Sequence, residues 1–253
     1  KYNLLGNPFA STIDADQLFS DNGTTNWNSV VYVWNDAASD YYEWNGSAGD
    51  LSNGLIAPFQ GFWVEAKSGG TAYSFTADSK TASNGTFYRS NISSAKFTVM
   101  NGNNSCNTYL TFNSDGSMGL DAADAKRLLP IETTDRLVNM FYVEDHALSI
   151  NNLPYNITED VYFDFDIMTL EANADSFHTA VDNIIMTWDF TLLPLDLSIY
   201  IHDMISDQTV DLSTIDNYSF STVEKGAFSA VALDGVAFYP KQGDSRFILL
   251  IRS

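Results

Sequence analysis

The sequence predicts an all-β protein: a small aromatic-rich antiparallel β module followed by an antiparallel β-sandwich. Three observations predict it. Short runs of β-branched and aromatic residues recur along the 253-residue chain, many with strict period-two alternation. Aromatic residues make up 14% of the chain, and four of its five tryptophans, Trp27, Trp34, Trp44 and Trp63, fall in the first third. A polar, small-residue stretch, ADSKTASNG over 77–85, has the composition of a linker. It divides an aromatic module over 1–80 from a sandwich over 86–253.

The elements follow in order. Tyr2–Thr12 reads as a strand broken at Gly6-Asn7-Pro8, because Pro8 holds Asn7 extended. Ile13–Phe19 has room for one or two helical turns capped by Ser11 or Thr12. Ser29–Trp34 and Asp40–Trp44 read as a hairpin across Asn35–Ser39. Gly61–Ala66 and Thr71–Thr76 read as a second hairpin, with Gly69-Gly70 in the turn. Asn7 and Gln60 are expected to satisfy backbone groups at strand breaks.

In the second segment, Ala95–Met100, Thr108–Asn113 and Asn139–Val143 alternate. Val161–Ile167 sets Val161, Phe163, Phe165 and Ile167 on a dry face and Tyr162, Asp164 and Asp166 on a wet one. Ile184, Met186, Trp188 and Phe190 form one inward row, and Leu197, Ile199 and Ile201 another. Asn217–Thr222 and Arg246–Arg252 complete the series. Ala122–Leu129, opened by Asp121, is the helical candidate.

Charge excludes whole classes of partner. Thirty-two acidic residues against 12 basic give a formal net charge of −20. Phosphate backbones and anionic membrane surfaces need a basic face, so nucleic acid and membrane binding are not expected. No apolar run approaches the roughly 18 residues of a membrane span. The single cysteine, Cys106, sits in a polar run without basic neighbours, which suits a structural role better than a nucleophile.

Two constellations carry possible chemistry. Asn113, Asp115 and Ser117 surround Gly116 ahead of Asp121 and Asp124. Oxygen donors at alternate positions around a glycine suit Ca²⁺, which makes Asp115, Asp121 and Asp124 the candidate metal ligands, although Asp121 and Asp124 also suit a helix start. The second is the tryptophan- and tyrosine-rich stretch beside Asp36 and Asp40. Sugar rings stack their C–H faces on aromatic planes while acids and amides bind the hydroxyls. Trp34 and Trp44 fit the core of a hairpin, so Trp27 and Tyr41 are the candidates for exposure, with Asp36 and Asp40 as polar partners. The three histidines are scattered, which argues against zinc, and no G-x-S-x-G, H-E-x-x-H or P-loop is present. No enzymatic activity of its own is expected.

The order of several segments resembles the C-terminal, β-rich region of Bacteroidota type IX secretion cargo proteins, the part that precedes the sorting domain. The resemblance is carried by YNLLGNPFAS (Tyr2–Ser11), YVWND (Tyr32–Asp36) and IAPFQGFWV (Ile56–Val64), then by the segments Asp121–Leu128, Leu148–Pro154, Tyr218–Phe220 and Arg246–Leu249. It implies a secreted, cell-surface location and a non-catalytic adhesive, structural or spacer role within a larger protein. The alternative is a carbohydrate-binding accessory region of a polysaccharide-degrading enzyme. A glycan or another surface protein would then be the partner, with Ca²⁺ as the possible cofactor. The chain opens at Lys1 inside what reads as a strand, so its first module is expected to lack its first strands.

Overall fold

A computed structural model describes residues 1–35, 38, 40–67, 72–82, 93–102, 104–128, 136–170, 181–194, 196–222, 231–233, 236–238 and 245–253. The fold is all-β. In the first segment the elements are β1 (Tyr2–Gly6), β2 (Ile13–Asp14), α1 (Ala15–Asn22), β3 (Trp27–Asn35), β4 (Asp40–Trp44), β5 (Leu55–Ile56) and β6 (Gly61–Ala66). Four of them form an antiparallel sheet in the order β1-β6-β3-β4, and β2 pairs with β5.

The hairpin of β3 and β4 forms as expected, with Val33 opposite Tyr42 and Trp34 opposite Tyr41. The second expected hairpin does not form. β6 lies between β1 and β3, and the described part of its expected partner, residues 72–76, is not a strand. There Tyr73 and Phe75 instead cover the core of the module. The helix starts later than expected: Asp14, not Ser11 or Thr12, caps it by accepting the Asp16 N–H at 2.9 Å. Asn7 does satisfy the break after β1. Its amide donates to the carbonyls of Ser11 and Ala57 at 2.8 and 2.9 Å, and its oxygen accepts the Phe9 N–H. Gln60 accepts the Ala57 N–H in the matching turn.

The second segment contributes β7 (Ser93–Asn101), β8 (Asn104–Asn113), β9 (Ala125–Lys126), β10 (Arg136–Val143), β11 (His146–Pro154), β12 (Val161–Leu170), β13 (Ile184–Leu192), β14 (Ser198–Asp203), β15 (Gln208–Asp211), β16 (Asn217–Phe220), β17 (Val231–Leu233), β18 (Val236–Phe238) and β19 (Phe247–Arg252). The large sheet runs β15-β14-β19-β12-β10-β11-β8-β7-β13-β16, with β9 attached to β11. Every pairing in it is antiparallel except β8 with β11. That exception follows from the path: the chain leaves β8, passes β9, and reaches β11 only after the tight turn from β10, so β11 runs with β8. Glu144 and Asp145 both hold positive φ in that turn, as a two-residue hairpin loop requires.

The sheet folds back on itself. Phe97 of β7 lies four strands from Phe165 of β12, which would place them roughly 19 Å apart in a flat sheet. Their ring centroids are 5.7 Å apart. Phe97 also meets Phe141 and Phe190 edge-on, at 5.9 and 5.6 Å. Inward rows from both halves, including Phe97, Leu110, Phe141, Phe165, Ile201 and Leu249, thus share one core. The result is sandwich-like, built from a single curled sheet.

Two expectations on this half are corrected. The described part of the expected helix Ala122–Leu129, residues 122–128, is not helical: its first residues form turns and Ala125–Lys126 pair with β11. The wet face of β12 is not uniformly wet either. Tyr162 is exposed, but Asp166 is buried, where its carboxylate accepts the N–H groups of Ile167 and Arg246. Among the described residues, no helix is long and apolar enough to cross a membrane.

Candidate functional site

A cluster of polar side chains lies where the small sheet meets the large one. Both faces of the small sheet are used. Alternation puts Val31, Val33, Phe62 and Val64 against α1 in a closed core. The opposite face, with Tyr2, Val30, Tyr32 and Tyr41, packs on Tyr109 of β8, Ala125 of β9, Leu128 and Ile150 of β11. One core thus spans both segments.

Hydrogen bonds cross the same seam. Ser29 N–H donates to the Ala122 carbonyl and Lys126 N–H to the Tyr32 hydroxyl, each at 2.8 Å. The Lys126 ammonium meets Glu65 at 2.8 Å. Asn107 and Tyr109 of β8 both donate to Asp50 Oδ1 at 2.9 Å. Asn45 donates to the Ala123 carbonyl at 3.0 Å.

Within the seam Asp40, Glu43 and Asp50 stand near Arg127 and Arg136. Arg136 lies 3.5 Å from Asp40, and the Arg127 guanidinium donates to the Asn107 carbonyl. Glu43 is 1% exposed, and its Oε1 has no hydrogen-bond partner. Burial pushes its carboxyl up to about 8, with Asp50 and Asp40 adding to the rise and Arg127 opposing it. Burial likewise raises Asp40, against the pull of Arg127 and Arg136. Burial lifts the Cys106 thiol to about 11, opposed by Arg127, which fits an inert, structural cysteine. The chain turns back beside Glu43 at Gly49, whose φ is +138°. A Cβ there would stand 2.0 Å from the Glu43 carbonyl oxygen, so only glycine fits.

The sequence-nominated residues divide clearly. Trp27 and Tyr41 are not exposed: they are 6% and 8% accessible. Trp27 packs edge-on against Tyr73 at 4.9 Å. Tyr41 meets Trp34 edge-on at 5.2 Å. The expectation of exposure failed because the sheet is covered on both faces, and alternation along one strand cannot show a second layer. Asp40 is committed to Arg136 and to the Tyr41 N–H. Asp36 lies outside the described residues.

Asp121 and Asp124 do come together, but as a loop clamp. Asp121 accepts from Ser117 N–H, Ala123 N–H and the Asn152 amide. Asp124 accepts from Asp121 N–H and Asn152 N–H, both at 2.7 Å. Burial, then the neighbouring Asp121, raises the Asp124 carboxyl to about 7, even though those two N–H bonds favour its charged form. Asp115 is exposed and does not join them. No group of three metal-ligating acidic, histidine or cysteine side chains occurs among the described residues.

The sequence reading missed Glu43, Asp50, Arg127, Tyr32 and Tyr109. One signal was present: Glu43 sits between Tyr42 and Trp44 in a strand whose aromatics occupy both faces. What the seam does chemically is hold two sheets in fixed register. No protein-family model matches the chain, and neither curated proteins nor solved structures give a match.

Proposed function

We propose that this chain is a non-catalytic, surface-exposed module of a larger secreted protein carried by type IX secretion, with an adhesive, structural or spacer role. The observation that supports it is the seam. Its carboxylates, guanidinium groups and tyrosine hydroxyls tie one sheet to the other, which suits a rigid element that displays or spaces neighbouring domains. The glycan-binding alternative built on Trp27 and Tyr41 has no support from those rings, which serve packing.

The test is location first. Antibodies raised against the folded chain should label intact cells of the source organism, and the label should vanish in a strain lacking the secretion machinery. Antigen confined to the cytoplasm would sink the proposal. Turnover of a polysaccharide or peptide by the purified chain, abolished by neutralising a pair of its carboxylates, would overturn the non-catalytic part.

A further inference from the structure

We infer that the open edge of β1 pairs antiparallel with the same edge of a second copy of this chain, seating Leu4 of each copy over Gly6 of the other. The inference goes beyond the surface-module proposal and uses none of the charged groups at the seam.

Register defines the edge. β1 ends the small sheet, and its pairing with β6 keeps one register from Tyr2 opposite Glu65 to Gly6 opposite Gly61. Lys1 with Ala66 and Asn7 with Gln60 are hydrogen-bonded pairs of that ladder. Alternation then turns the N–H and C=O groups of Leu4 and Gly6 away from β6. Among the described residues, no strand or side chain takes up those outward groups. The other edge of the sheet is closed: beside β4 the chain turns back at Gly49, and Leu51 N–H donates to the Glu43 carbonyl at 3.0 Å. An open edge is normally protected by a charge, a proline or a bulge, and β1, YNLLG, has none of these.

The side chains on this edge are complementary to themselves. Leu4 is 61% exposed. Gly6 follows on the same face, and a Cβ built there would meet nothing within 4 Å. When two β1 strands pair antiparallel in this register, Leu4 of one copy stands opposite Gly6 of the other, twice over. Each leucine then fills an open position, and four backbone hydrogen bonds satisfy the outward groups. Pro8, which has no N–H, ends the pairing beyond Gly6. The turn leading into β6 extends the apolar surface. Gln60 N–H donates to the Ala57 carbonyl at 3.2 Å, and Phe59 holds φ at +60°, at the turn position that favours glycine. Phe59 is 70% exposed, so neither the turn nor the core accounts for its ring.

Charge names the occupant. Residues 2–13 and 51–64, which build this edge and its turn, hold no charged side chain in a chain of net charge −20. Two such chains repel wherever their carboxylates face one another, and this edge lets them meet without doing so. The pairing joins two four-stranded sheets into one of eight strands. It is two-fold, so the assembly closes at two copies.

Sedimentation equilibrium of the whole chain, from about 1 μM to about 1 mM, tests this. The mass should rise from 28.0 kDa toward twice that value. Leu4→Asp places a carboxylate on each side of the shared edge, and Gly6→Leu fills the seat. Each should weaken the dimer roughly tenfold or more. Both positions are exposed, so the dilute variants should keep the parent melting temperature, and Leu4→Asp decides alone if Gly6→Leu fails to fold. A monomer at every concentration overturns the inference and leaves the edge to a strand of a different chain. Growth past two copies, or a dimer as strong in a folded variant as in the parent, overturns it equally. The readout uses purified protein, so its failure is distinguishable from a failure of cell-surface labelling.

Discussion

The Tyr32 hydroxyl accepts the backbone N–H of Lys126 at 2.8 Å, joining the middle of the small sheet to a strand attached to the large one. Tyr32 is 2% exposed, so its ring fills the seam while its hydroxyl satisfies a donor that water would otherwise have to reach. Tyr32→Phe should cost about 1–2 kcal/mol by leaving that N–H unpaired. Tyr32→Ala should cost about 3–5 kcal/mol, since it also opens a cavity between the sheets. Urea denaturation followed by both fluorescence and circular dichroism checks this. The parent chain should unfold in one transition, because the apolar cluster continues across the seam. Separate transitions in the parent, with Tyr32→Ala moving only one, would show that the sheets are not coupled.

Glu43 predicts the pH dependence. Its carboxyl is raised from an ordinary 4.5 to about 8 in the folded chain, chiefly by burial. Between those values the folded chain keeps a proton that the unfolded chain has released, so stability must fall as pH rises across that window. Glu43→Gln holds the neutral form permanently and removes this slope. Melting temperature measured from pH 5 to pH 8.5 should therefore fall less steeply in Glu43→Gln than in the parent. Asp16 and Asp124 also carry raised values and are unchanged in the variant, so the difference isolates Glu43. Parallel curves would mean that Arg127 keeps Glu43 ionised.

The sequence made the strands legible because each has a dry face, and period-two alternation reports one dry face directly. Val161–Ile167 and Leu197–Ile201 show this well: their odd-numbered apolar residues line the core. What alternation cannot report is the second face. In β4, Tyr42 and Trp44 pack on the module's core while Tyr41 is buried and Glu43 sealed at the seam, so nothing in DYYEW says which face stays wet. The loop at Asp121–Asp124 failed for a related reason. Acidic residues that suit a helix start suit a loop clamp equally well, and the choice was made by Asn152, about thirty residues further on.

That loop gives the metal prediction. The oxygens of Asp121 and Asp124 already receive five hydrogen bonds, four from backbone N–H groups and one from the Asn152 amide. Ca²⁺ needs six to eight oxygen ligands and would have to displace these donors. Melting temperatures in EDTA and in millimolar Ca²⁺ should agree within about 1 °C, whereas a bound ion would stabilise by mass action. Asp124→Ala should cost about 2–4 kcal/mol in either buffer, because the buried Asn152 N–H and the partly buried Asp121 N–H lose their acceptor. A Ca²⁺-dependent rise in melting temperature that disappears in Asp124→Ala would restore the site as a metal centre.

The buried pair of Asp203 and Arg246 predicts the acid limb of stability. Arg246 donates to Asp203 at 2.9 Å, and the same carboxylate accepts from the Tyr218 hydroxyl and the Ile205 N–H. Burial alone would raise its pKa, but the Ile205 N–H, Arg246 and Tyr218 outweigh burial and hold it below 3.8. The unfolded chain therefore takes up this proton first as pH falls. The pair's contribution is complete above the unfolded value and is lost as pH drops through the folded one. Asp203→Asn should cost about 3–5 kcal/mol at neutral pH, since it leaves a buried guanidinium uncompensated, and the cost should shrink in acid. Replacing both partners, Asp203→Leu with Arg246→Met, removes the uncompensated charge and should recover much of the loss. Urea denaturation from pH 2.5 to pH 7 on the parent, the single variant and the double variant separates these outcomes. A double variant as unstable as Asp203→Asn would mean that shape, and not charge pairing, sets the cost at this position.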